Sequence, residues 1–111
     1  LLASKEMYLA RYYVEKEKWI PAINRFKTVV TDYDSTIYVE EALHRLVELH
    51  YKMGLINESK KYAALLGYNY QSSKWYEKTY EILNKDYVKI SKRKNKNKEE
   101  SIIKKFKDLL K

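Results

Sequence analysis

The sequence predicts an all-α chain of helical hairpins that stack on one another. Turn-forming residues are scarce, with only two Gly and one Pro in 111 residues, whereas an all-β domain needs many tight turns. The chain also repeats, because an offset of 37 residues aligns Leu9 with Leu46 and Leu83. A fixed period of this size is typical of stacked-helix repeats.

Other positions follow the same offset. It aligns Tyr13 with His50 and Tyr87, Tyr33 with Tyr70, Ser35 with Ser72, and Glu40 with Glu77. Each unit is therefore expected to be a hairpin that buries its apolar face only by stacking on the next unit. The expected apolar faces are Leu9, Tyr13 and Val14 against Ala22, Phe26 and Val29, then Leu43, Leu46, Val47 and His50 against Tyr62, Ala63 and Leu66.

Start and stop residues place five helices. Pro21 suits a first turn because it lacks an N–H, Ser35 or Thr36 is expected to cap the third helix, and Gly54 and Gly67 are expected to end helices. Residues 1–91 are predicted to form the repeats, as hairpins of about 4–32 and 36–67 and a capping helix of 73–91. Residues 92–111 are predicted to be a basic linker and a short amphipathic helix.

The spacing of large and small residues resembles the tetratricopeptide repeat (TPR). The first hairpin matches at Leu9, Ala10, Tyr13, Trp19, Ala22 and Phe26, and the second matches more loosely at Leu46, Val47, Gly54, Ile56 and Ser59. The period departs from the usual length of about 34 residues, and Asp34 and Gln71 stand where Pro is usual. The predicted fold is a TPR-like α-solenoid with a terminal capping helix and a basic C-terminal tail.

Aromatic residues are concentrated after Gly67. We expect Trp75, Tyr76 and Tyr80 to cover the open end of the stack, with Tyr68 and Tyr70 in the corner before them. Aromatic rings carry a large buried area, so the predicted role is a core rather than a ligand site.

The net positive charge is concentrated in the tail. Residues 1–88 carry 13 Lys and Arg against 12 Asp and Glu, whereas residues 89–111 carry 10 against 3. Within SIIKKFKDLLK (101–111), the apolar residues Ile102, Ile103, Phe106, Leu109 and Leu110 fall on one helical face. Such a short helix needs a surface to lie on, and the repeats, a partner protein and an anionic membrane all compete for it.

The residues offer no catalytic or cofactor chemistry. Phosphate-binding and nucleophile loops need glycines that a chain with Gly only at 54 and 67 lacks, so no enzyme, cofactor or metal is expected. Glu41, His44 and Glu48 share a helical face that could chelate a metal, but a solvated polar face is the favoured interpretation. His50 takes the position of Tyr13 and is expected to be a half-buried core histidine.

Three phrases of the sequence resemble the C-terminal half of the BamD family of TPR lipoproteins. They are MYLARYYVEKEKWIPAINRFKTVVTDYDST, VEEALHRLVELHYKMGL and AALLGYNYQSSKWYEKTYEIL, within residues 5–87. The family usually has Tyr-Pro-Asp-Ser at its corners, and this chain replaces both prolines. Because the chain begins at Leu1 rather than Met, the resemblance implies a piece of a longer protein.

The resemblance implies a scaffold in outer-membrane β-barrel assembly. It implies docking on the POTRA region of BamA, contact with accessory lipoproteins of the same machinery, and a lipid anchor upstream that holds the protein at the periplasmic face of the outer membrane. Arg25, beside Asn24, matches a family arginine implicated in BamA contact, and its alternative role is an ion pair with Glu15 or Asp32. Ile102, Phe106 and Leu109 are the tail residues expected to meet a partner.

The alternative hypothesis is an adaptor of another complex whose basic tail binds nucleic acid or another anionic surface. Lysines without interleaved aromatic residues give only non-specific, salt-sensitive attraction to phosphate, so no nucleic acid is expected.

Overall fold

The computed structural model of the chain describes residues 2–84 and 100–109, and all of its regular structure there is helical. The helices are α1 (Leu2–Glu15), α2 (Trp19–Asp32), α3 (Val39–Lys52), α4 (Ile56–Asn69) and α5 (Lys74–Leu83), with a further helix over residues 100–109. Both α3 and α4 begin and end 37 residues after α1 and α2. The all-α prediction and the repeat period are confirmed.

The helices stack as two hairpins and a cap. α1 packs on α2, α3 packs on α4, and α5 packs on both helices of the second hairpin. α3 lies between α2 and α5, and nine of its 14 residues are buried, against at most four in each of α1, α2, α4 and α5. This arrangement confirms the TPR-like solenoid.

Two apolar clusters form the core. The larger joins the first hairpin to α3 around Met7, Phe26 and Leu46, and the smaller joins α3 to α4 around Leu43 and Leu66. Burying such side chains contributes about 1.5–3 kcal/mol each. α3 contributes to both clusters, so separating the two hairpins would expose its side of the larger cluster, whereas the smaller cluster lies within the second hairpin.

The buried face of α1 differs from the predicted one. Its buried residues are Ala3, Met7 and Ala10, whereas Leu9, Tyr13 and Val14 are only half-buried. The repeat explains the difference at Leu9. Its counterpart Leu46 is fully buried because it packs against the preceding hairpin, whereas α1 is the first helix among the described residues.

The turn between α1 and α2 and the turn between α3 and α4 have the same backbone geometry but different residues at the left-handed position. Gly54 has φ +78°, its N–H donates to the Tyr51 carbonyl, and the following N–H of Leu55 donates to the His50 carbonyl at 2.9 Å. This is the Schellman motif, in which glycine is favoured. Glu17, 37 residues earlier, has φ 57° and the same pair of hydrogen bonds, so a side chain occupies the left-handed position.

Two other predicted helix ends are wrong. Gly67 does not end α4, because the helix continues to Asn69. A Cβ on Gly67 would lie 2.7 Å from Cε1 of Tyr76, so its lack of a side chain makes room for the ring on α5. Neither Ser35 nor Thr36 caps α3. The N-cap is Tyr38 without a side-chain hydrogen bond, and the Thr36 hydroxyl donates to the Tyr33 carbonyl at 2.7 Å.

The aromatic segment covers the open end as expected, though only in part. Ser73 caps α5 by accepting the Tyr76 N–H at 3.0 Å, and Tyr70, Trp75 and Tyr76 pack against the smaller cluster. Tyr80 and Tyr68 are instead exposed. α5 ends at Leu83, and the predicted continuation to about Ser91 lies outside the described residues.

Both histidines lie in the core. His50 is buried rather than half-buried, and its Nδ1 donates to the Leu46 carbonyl at 2.6 Å. His44 joins α3 to α5, because its Nδ1 shares a 2.8 Å hydrogen bond with the buried Thr79 hydroxyl. One repeat earlier the corresponding residues are the apolar Met7 and Ala42. The second interface therefore replaces an apolar pair with a hydrogen-bonded one.

We predict that Glu17→Gly stabilises the fold by about 0.5–1 kcal/mol. Glycine relieves the left-handed strain of about 1–2 kcal/mol, and its greater freedom in the unfolded chain offsets part of the gain. Urea unfolding measures the difference. Lys16→Gly is the matched control and should destabilise, since it adds glycine flexibility without relieving strain. A Glu17→Gly variant no more stable than the parent would contradict the assignment.

We also predict that stability falls on mild acidification because of His44. Burial lowers the pKa of His44 below its ordinary value of 6.5, against the opposing effect of Glu48. The unfolded chain therefore takes up a proton before the folded chain does, and the free energy of unfolding declines as pH falls below about 6.5. The decline ends at the lowered folded-state pKa, and above the ordinary value the stabilisation is fully present.

The matched variant is His44→Met with Thr79→Ala, which installs the residues of the first interface and leaves His50 in place. Urea unfolding between about pH 7 and 5 should show a shallower pH dependence for this variant than for the parent. Parallel curves would show that His44 does not carry the effect.

Candidate partner-docking surface

The outer face of α2 carries the predicted pair Asn24 and Arg25. Asn24 is exposed, and the Arg25 side chain is 42% exposed where it meets Glu6 of α1, which is 18% exposed. Both hydrogen bonds of this ion pair come from Nη1 of Arg25, at 3.3 and 3.2 Å from the two Glu6 carboxylate oxygens. The pair therefore leaves Nε and Nη2 of the guanidinium unused.

Arg25 lies at a shallow groove, here called the α2 groove. Its volume is about 330 Å³, and its lining residues are Tyr13, Ile20, Pro21, Asn24, Arg25 and Thr28. Ile20 is 56% exposed there, so an apolar side chain and a cationic one lie on the same surface. Such a combination suits a protein partner that presents a carboxylate beside an apolar residue.

The partner of Arg25 is Glu6 rather than the expected Glu15 or Asp32. Helix register explains this. In the second hairpin the Ser59 hydroxyl donates to the Val47 carbonyl at 2.8 Å, and the same register 37 residues earlier places Ala22 beside Ala10. Arg25 lies about one turn farther from the α1–α2 loop than Ala22, and Glu6 lies about one turn farther from it than Ala10. Arg25 and Glu6 therefore face each other. Repeat register was thus the signal that could have identified Glu6.

The predicted tail residues lie on the helix of residues 100–109. Its apolar side chains are exposed, with Ile102 at 65%, Ile103 at 54%, Phe106 at 62% and Leu109 at 84%. The repeats, one of the three surfaces considered for this helix, do not bury these side chains.

The carboxylates considered as metal ligands belong to an ion-pair network. Arg11 of α1 grips Glu41 of α3 through two nitrogens, at 3.0 and 2.7 Å, and this hydrogen bonding raises the pKa of Arg11. Nε of Arg45 lies 3.7 Å from Oε2 of Glu41, and its Nη1 lies 3.3 Å from Oε1 of Glu48. Across residues 2–84 and 100–109, no group of three or more His, Cys, Asp or Glu is placed to hold a metal.

Sequence reasoning missed this network. Because Arg11 and Glu41 lie on adjacent hairpins, the pair ties the first repeat to the second, and its bidentate geometry adds orientation to attraction. Arg11 is 48% exposed, so solvent screening leaves it a modest contribution to stability.

Trp75 was expected at the end of the stack, but its contacts with cations were not. Its ring lies under two cations, with Lys78 Nζ 4.4 Å and Arg45 Cζ 5.6 Å from the ring centroid. The His44 ring lies 5.3 Å away. Trp75 therefore links α3 and α5, which makes it part of the stack rather than of a partner site.

Comparison with known proteins decides the family. The family model of YfiO, described as an outer membrane lipoprotein, matches residues 1–66. The chain belongs to this family of outer membrane lipoproteins. The described helices include none that is both long enough and apolar enough to span a membrane.

Named relatives agree with this assignment. The chain is 48% identical over 82 residues to an outer membrane protein assembly factor BamD from Rickettsia prowazekii. The aligned stretch covers 74% of this chain and 33% of the relative. The chain is 42% identical over 83 residues to a BamD from Caulobacter vibrioides, covering 75% and 27%, and 45% identical over 51 residues to one from Neisseria gonorrhoeae, covering 46% and 19%. The resemblance to BamD is confirmed, and the chain spans about a third or less of these relatives.

Proposed function

We propose that this chain is a non-enzymatic docking module of an outer membrane protein assembly factor, and that its α2 groove binds the POTRA region of BamA. Support comes from the family, whose relatives carry the name of outer membrane protein assembly factor BamD. A stack of helical hairpins also presents the extended surfaces that such repeats use for binding proteins.

The observation that carries the proposal is the state of Arg25. Its guanidinium is half-exposed at the rim of the α2 groove and is oriented by Glu6 through a single nitrogen. A planar guanidinium can bind a second carboxylate through its remaining N–H groups. A partner carboxylate would therefore meet an arginine that is already positioned, while Ile20 offers apolar contact beside it.

The wider setting follows from the same proposal. The chain would work at the periplasmic face of the outer membrane, held by a lipid anchor in a region upstream of Leu1, and accessory lipoproteins of the assembly machinery would use other faces of the stack. An adaptor that binds nucleic acid would rest on the tail alone, because residues 1–88 are nearly neutral.

Titration of the chain against the purified POTRA domains of BamA from the same organism tests this function. The parent should bind saturably, and Arg25→Glu should weaken binding at least tenfold, or about 1.4 kcal/mol. Reversing the charge removes the carboxylate contact and sets two acids, the new Glu and Glu6, beside the partner.

Lys27→Glu is the matched control. Lys27 is exposed on the same helix, about 200° around it from Arg25, and the charge change is identical. Its affinity should stay near that of the parent. Equal weakening by both variants would indicate long-range charge attraction, and a parent that does not bind would refute the docking role.

A chain ending at Val88 separates the groove from the tail. If the α2 groove carries the interface, this shortened chain should bind POTRA domains as the parent does. Binding lost only on shortening would move the interface to the region of Ile102, Phe106 and Leu109.

A further inference from the structure

The helix of residues 100–109 is amphipathic, and its apolar face is uncovered. Successive residues are about 100° apart around an α-helix, which gathers Ile102, Ile103, Phe106 and Leu109 into one stripe. All four side chains are more than half exposed. An uncovered stripe of large apolar side chains is unfavourable in water and indicates a surface that covers it.

The charges beside the stripe indicate the chemistry of that surface. The same geometry places Lys105 at one edge of the stripe and Lys107 at the other, with Lys104 on the opposite face. Lysines at the edges of an apolar stripe can keep their ammonium groups at the phosphate level while the stripe enters the acyl boundary. Residues 89–111 as a whole carry 10 basic against 3 acidic side chains.

We propose that the helix of residues 100–109 lies flat on an anionic phospholipid surface. The apolar stripe would enter the headgroup region, and the basic tail would attract phosphates from both sides of it. The chain belongs to a family of outer membrane lipoproteins, and a membrane supplies an anionic phospholipid surface near such proteins. The helix is too short to span a bilayer, so it lies on the surface.

A protein groove is the competing occupant and is the less favoured one. A groove on a protein covers an apolar stripe from a fixed direction, and it gains attraction from Lys105 and Lys107 only where acidic side chains lie on both of its rims. A lipid surface supplies phosphates on both sides without any such match. The membrane proposal does not depend on the docking of the α2 groove.

Vesicle flotation of the intact chain tests the proposal. The vesicles contain phosphatidylethanolamine with or without phosphatidylglycerol. The chain should float with the anionic vesicles, bind the neutral ones much more weakly, and lose affinity as ionic strength rises. Replacing Lys104, Lys105 and Lys107 with Gln should weaken binding on the order of 100-fold, at about fivefold per lysine.

A permuted variant separates the helix face from simple charge attraction. Phe106→Lys with Lys104→Phe, and Leu109→Lys with Lys105→Leu, keep composition and net charge while spreading the apolar side chains evenly around the helix. This variant should lose most of the anionic binding. Permuted and parent chains that bind equally well would overturn the proposal, as would a parent that does not float.

Two controls distinguish the remaining occupants. Urea unfolding of the permuted chain should match that of the parent, since the stripe is not buried against the repeats; a loss of stability would mean that the repeats cover it. The POTRA titration should also be unchanged in the permuted chain. If the permuted chain loses POTRA binding and the parent chain does not bind vesicles, the helix docks on protein and the lipid proposal is wrong.

Discussion

The sharing of α3 between two apolar clusters is the constraint on which the rest of the structure depends. A helical hairpin can bury only one face by itself, and α3 buries nine of its 14 residues by packing against α2, α4 and α5. Glu41 extends this role to α1 through Arg11, and His44 extends it to the cap through Thr79. The stack should therefore behave as one cooperative unit rather than as two hairpins joined by a turn.

The polar residues that hold the stack together lie on α3, whereas those available to a partner lie on the outer face of α2. The buried polar side chains of α3 all have partners within the stack. Glu41 pairs with Arg11 and Arg45, His44 with Thr79, and His50 with the Leu46 carbonyl. On the outer face of α2, by contrast, Arg25 uses only Nη1 in its ion pair with Glu6. Its Nε and Nη2 atoms take no part in that pair. A partner bound at the α2 groove would consequently contact the stack without disturbing its core, which suits a scaffold that must hold its shape in a larger assembly.

Much of the fold could be predicted because the repeat is visible in the sequence. Period, hairpin order and most of the second core follow from apolar residues at a 37-residue offset. Positions that depend on a tertiary neighbour could not be found in this way. Gly67 has the residue type of a helix end but makes room for Tyr76. Leu46 is buried by the hairpin before it, whereas Leu9 is only half-buried. Glu6 is identified as the partner of Arg25 only through hairpin register. The choice of Asn24 and Arg25 came from family resemblance, and their docking role stays a prediction.

Native-state hydrogen exchange tests the shared role of α3 most directly. If both clusters must open before α3 is exposed, its amides should exchange only through global unfolding, with the free energy that urea unfolding gives. The first turns of α1 and the end of α5 should exchange through smaller openings. Amides of α3 that exchange at a clearly lower free energy, while α1 and α2 stay protected, would show that the hairpins open separately and would contradict this account.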